Sequence, residues 1–217
     1  MENRGKISKS KEGKFKLPAG VAVSDLTDVG EGYSLRVTDQ GYSLFTVNVS
    51  ADRFRDTYLG LAKQVRAPGF AVIEVPTNAR DEDRLRTSGA APFHRDVYYL
   101  DGITFETYCL IFEKYSQLLI DDGGTTFGFG SHQGYDEVFV GKYKVVSIFA
   151  DMPERYVQAL ELMGYRQQDR LRTVLDNITP ETPGEKISVT VDGKRIYDVI
   201  EELLHRGFYL AERRKDT

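Results

Sequence analysis

The chain has 217 residues and a formal net charge of −4, with 41% hydrophobic and 29% charged residues, which is enough apolar material for real cores and too little bias for a disordered or fibrous chain. No stretch approaches the roughly 18–20 apolar residues that cross a bilayer, and the first sixteen residues lack the apolar centre of a secretory signal. Cys109 is the single cysteine, so an internal disulfide framework is impossible and a cytoplasmic setting is expected.

The first sixteen residues carry six cations (Arg4, Lys6, Lys9, Lys11, Lys14, Lys16) against Glu2 and Glu12, a local balance of +4 that leaves the remainder at −8. Residues 1–17 read as a flexible basic tail. The acidic body would repel phosphate, which argues against nucleic acid as the partner.

After a hairpin strand expected at Tyr33–Val37, four segments repeat one pattern: a β-rich run, an amphipathic helix, a glycine and a second β-rich run. In the first, Phe45, Val47 and Val49 alternate with polar residues. Ser50 is placed to cap a helix whose stripe is Phe54, Thr57, Tyr58, Leu61, Ala62 and Val65, and Phe70–Val75 returns. The second runs from Val97–Leu100 through a helix capped by Thr104, with the stripe Phe105, Tyr108, Cys109, Phe112, Ser116 and Leu119, to a strand over 125–130. The third has a strand at Tyr143–Phe149 and a helix with Tyr156, Ala159, Leu160 and Met163 inward. Asp151 and Glu154 match a capping box, Gly164 a C-terminal cap, and 165–171 a return strand. The fourth has a strand at Lys186–Val191, a helix lined by Ile196, Val199, Ile200, Leu203 and Leu204, the cap Gly207 and a strand at 208–212.

Units one and three share Ala-Asp after the first strand, and units two and four share Asp-Gly, which suggests a duplicated block. The expected class is α+β: two tandem ferredoxin-like (βαββαβ) domains, 18–135 and 136–217, or one pseudo-duplicated α/β sandwich.

Chemistry is sparse. His94-Arg95-Asp96 lacks the other parts of a kinase site, and Gly128-Phe-Gly130 leads into a β-like run rather than the helix a dinucleotide fingerprint needs. Three histidines and one cysteine, far apart, make no zinc spacing, and no catalytic residue, cofactor or metal is assigned. The unusual stretch is Leu119–Lys142, with six glycines, three phenylalanines, paired acids and a histidine. Binding is expected there, through Asp121, Asp122, Phe127, Phe129, His132, Tyr135, Asp136 and Glu137.

The functional expectation is a non-enzymatic protein whose acidic body meets a basic protein partner, as an immunity protein or adaptor does. The alternatives are a small-molecule sensor or enzyme using a groove between domains, and a nucleic-acid binder acting through the tail. Edge-to-edge association of such sheets would give a homodimer.

Overall fold

The computed structural model describes residues 14–89 and 91–216. Residues 1–13 of the expected basic tail lie outside the described residues. Residues 14–17 are held: the Lys16 amide donates to Ser50 Oγ, its ammonium pairs with Asp52 at 2.9 Å, and Phe15 and Leu17 pack on Val145 and Val174.

The strands are β1 (Val21–Ala22), β2 (Gly32–Val37), β3 (Ser43–Asn48), β4 (Gly69–Pro76), β5 (His94–Ile103), β6 (Thr126–Ser131), β7 (Asp136–Val140), β8 (Val146–Ala150), β9 (Glu185–Lys186) and β10 (Tyr209–Lys215). The helices are α1 (Phe54–Ala62), α2 (Ala79–Leu85), α3 (Phe105–Asp121), α4 (Glu154–Leu162) and α5 (Ile196–Leu204). Eight strands form one sheet in the order β10-β5-β4-β6-β7-β8-β3-β2, with every neighbouring pair antiparallel, while β1 and β9 pair separately.

The α+β class holds, and the periodicity located its elements well. Phe54, Phe112, Leu160 and Ile200 are all buried, on helices packed over the sheet in one core. Thr104 caps α3 by accepting from the Thr107 amide, and Gly164 (φ +84°) and Gly207 (φ +97°) end α4 and α5 as expected.

The tandem ferredoxin-like arrangement does not hold. That fold would set β6 beside β3, whereas here β6 pairs with β4 and β3 lies beyond β7 and β8. The reason is the short β6–β7 turn: it brings β7 back as the next strand, so the sheet continues through the expected boundary at 135/136 instead of closing. Helices from both halves share one core, with α1 touching α3 and α4, and α3 touching α5.

Smaller expectations also fail. Segment 165–171 makes a single bridge, Gln167 to Tyr33, because its run of polar side chains has no face to bury. Of Lys186–Val191 only Lys186 falls in a strand. Ser50 makes no cap bond, its hydroxyl being taken by the Lys16 amide, and Asp151 pairs with Arg66 instead of capping α4.

Inward on the helix side, β6 sends Phe127 and Phe129 into an aromatic cluster with Tyr58, Tyr108 and Phe112 at centroid separations of 4.5–6.3 Å. The Tyr58 and Tyr108 hydroxyls, both buried, hydrogen-bond each other, as buried phenols must. Below this core Lys144 is also buried. Its Nζ donates to Leu119 O at 2.8 Å and Thr125 O at 2.6 Å, tying the end of α3 to the start of β6.

Candidate functional site

Among the described residues the other face of the sheet carries no helix, and its register builds the candidate site. One row crosses seven strands: Asp101, Phe70, Gly130, Glu137, Phe149, Leu44 and Arg36, each directly opposite the next. Side chains so paired sit about 4.5–5.5 Å apart at Cβ. Glu137 therefore stands between Phe149 and the gap above Gly130, and the Phe70 ring closes that gap. A Cβ at Gly130 would lie 2.5 Å from Phe70 Cζ, so only glycine lets the ring lie down there.

The result is a pocket of about 200 Å³ lined by Tyr42, Phe70, Ser131, Gly134, Tyr135, Asp136, Glu137 and Phe149. Its rim is aromatic. Tyr42 stacks on Tyr135 at 5.0 Å and meets Phe149 edge-on at 5.9 Å, and Tyr135 is 60% exposed. On the far side His132 stacks on Phe70 at 4.6 Å, and its Nε2 lies 2.8 Å from Asp101 Oδ1. Tyr209 of β10 donates to the other Asp101 oxygen at 2.5 Å. These two hydrogen bonds hold the Asp101 carboxyl below the usual carboxylate range.

The two acids of the β7 start have opposite roles. Asp136 points to the helix side, its side chain wholly buried, and is gripped by Arg66 (2.9 Å) and by Arg155 of α4. Arg66 reaches on to Asp151 at 2.6 Å. This anchors the β6–β7 turn, and Gly134 suits it because its φ of +98° lies in the left-handed region that side chains rarely adopt. Glu137 points the other way, half-buried in the pocket. Among the described residues no hydrogen-bond donor or cation is paired with it. Burial, and then the Glu74 carboxylate on the same face, push its pKa up.

The eight residues expected to bind are thus not one site. Tyr135, Asp136 and Glu137 line the pocket and His132 stands at its edge. Phe127 and Phe129 are core. Asp121 and Asp122 lie at the opposite end of β6, about 20 Å away for a strand of this length. Asp122 is buried, accepting from the Gly124, Thr125 and Val189 amides and the Thr125 hydroxyl, and Asp121 accepts from the Ala19 amide. Both organise the loop rather than a ligand site. Tyr42, Phe70 and Phe149 were missed. Their outward parity was legible in the strands, but only the strand order brings them together.

Ser131, His132 and Asp136 do not assemble a hydrolytic triad. Ser131 Oγ accepts from the Gln133 amide, His132 turns to Asp101, and Asp136 is held by arginines. Among the described residues no three or more His, Cys, Asp or Glu side chains converge to hold a metal, and no helix is long and apolar enough to cross a membrane. Comparison with family models, with curated proteins and with solved structures gave no match.

Proposed function

We propose that the chain is a non-enzymatic binding protein that captures a cationic side chain of a basic protein partner in the Glu137 pocket. The supporting observation is the Glu137 carboxylate, which is half-buried among aromatic rings with no donor or cation of its own among the described residues. A desolvated carboxylate left unpaired is costly, and a partner's cation relieves that cost while the rings add cation–π attraction. The volume supports a side chain over a free metabolite, since pockets for small molecules usually run to about 300–1,000 Å³. The chain's net charge of −4 adds steering toward a basic surface.

The test is a titration of isotope-labelled protein with a lysine- and arginine-rich peptide, followed by NMR shifts. The expected result is salt-sensitive shifts at Tyr135, Glu137 and Phe149, with Glu137→Gln weakening affinity by about ten- to a hundredfold, in line with loss of a charge-assisted contact worth about 1.5–3 kcal/mol. Because the Glu137 pKa is raised, binding is also expected to fade with acidification before ordinary carboxylates titrate. Shifts confined to other surfaces, or none, would refute the proposal.

A further inference from the structure

Resting on that reading of the pocket, we infer that the cation it selects is an alkylated ammonium, with methyl groups sheathing the nitrogen, rather than a bare ammonium or a guanidinium.

The inference comes from counting what the walls can accept. A lysine ammonium brings three N–H donors and a guanidinium five, and each donor taken out of water needs an acceptor. The lining has two carboxylates. Asp136 is sealed on the inner face, held by Arg66 and Arg155. That leaves Glu137 as the one carboxylate of the lining not already paired with arginine. Ser131 Oγ already accepts from the Gln133 amide, which leaves it one lone pair. The other side-chain acceptors of the lining are the Tyr42 and Tyr135 hydroxyls, each of which also carries a proton of its own to place, and the apolar wall is ring surface: Phe70, whose neighbour Gly130 leaves room for it, Phe149 on the other flank, and the Tyr42–Tyr135 stack.

Such an enclosure satisfies few N–H groups but suits a cation whose charge is spread over methyl groups. Those methyls bury against rings without demanding acceptors, the ring faces attract the charge, and one carboxylate balances it. A bare ammonium entering the same space would strand donors. A guanidinium can fork onto the one carboxylate with two of its five N–H donors, and the other three would be left facing rings.

The experiment measures binding to the full chain of four probes by NMR shift titration: N-acetyl-lysine amide, its Nε-trimethyl form, N-acetyl-arginine amide, and a neutral analogue with carbon in place of the trimethylated nitrogen. The trimethyl form is expected to bind at least tenfold more tightly than the other three, with shifts at Tyr42, Tyr135 and Glu137. Tyr135→Leu, which keeps apolar bulk but removes a ring, is expected to erase most of that preference. Equal affinity for the three cations would overturn the inference and leave a general cation pocket standing. A neutral analogue matching the trimethyl form would overturn it in favour of a plain apolar site. Failure of every cation to shift the pocket residues at millimolar concentration would overturn both the inference and the functional proposal beneath it.

Discussion

Replacing Lys144 with methionine should change how the stability of the protein depends on pH. Lys144 is 3% exposed, and burial pulls its pKa down to about 7 even though Asp122 and Asp121 nearby favour the charged form. The geometry suits the neutral amine, whose two hydrogens match its two acceptors, Leu119 O and Thr125 O. In the unfolded chain the same group titrates near 10.5. Between these values the unfolded state holds a proton that the folded state has released, so stability rises with pH. One such group adds about 2.3 kcal/mol between pH 7 and 9, at a slope approaching about 1.4 kcal/mol per unit. Urea denaturation of the parent and of Lys144→Met at half-unit steps from pH 7 to 9 reads this directly. The variant should lose the rise and should cost roughly 1–3 kcal/mol from the two carbonyls left without a donor. Parallel stability curves across that window would mean that Lys144 stays charged in the folded protein, and the burial argument would fail.

Three further substitutions probe the pocket's supports. Asp136→Ala leaves Arg66 and Arg155 without their shared buried carboxylate and should cost about 3–5 kcal/mol, whereas Asp151→Ala, removing a part-exposed partner of Arg66, should cost under about 1 kcal/mol; equal costs in denaturant would refute the burial asymmetry. Gly130→Ala drives a methyl into the Phe70 ring and should destabilise by about 1–3 kcal/mol while displacing the His132 and Phe70 resonances; unchanged spectra would show that the ring does not rest on that glycine.

Local rhythm carried most of the secondary structure. The stripes of α1, α4 and α5 were legible because each buries one apolar face. In α3 the stripe was slightly misaligned: Ile111 and Tyr115 are buried, whereas Cys109 sits at its border. Helix α2 was not legible, since its sequence, ARDEDRL, has almost no apolar face. It is fixed by the Asn78 cap and by Glu82, which accepts from the His94 amide and meets its Nδ1. The length of β10 was also hidden. Charged residues do not read as a strand, yet Arg213 reaches Asp96 and Asp81, and Arg214 reaches Glu74. Strand order was beyond reach, because alternation tells which face a residue occupies and not which strand lies alongside. The same limit explains the candidate site. Glycine and acid enrichment marked the right hairpin, but Asp122 resembles a ligand-binding acid until the Val189 amide arrives from 67 positions away.

The strand order makes the two halves of the chain interdependent. β2 and β3 come from the first half but join the rest of the sheet only through β8, and β8 reaches β6 only through β7, both from the second half. A fragment ending at residue 135 would own both flanks of a sheet whose middle was missing, and its partner fragment would own that middle with no strand on either side, and a β10 cut off from the β5 it pairs with. Neither piece closes a core alone, so the molecule should appear and disappear as a unit, with proteolytic nicking at the hairpin tip leaving two strands of chain that stay together or fall apart together.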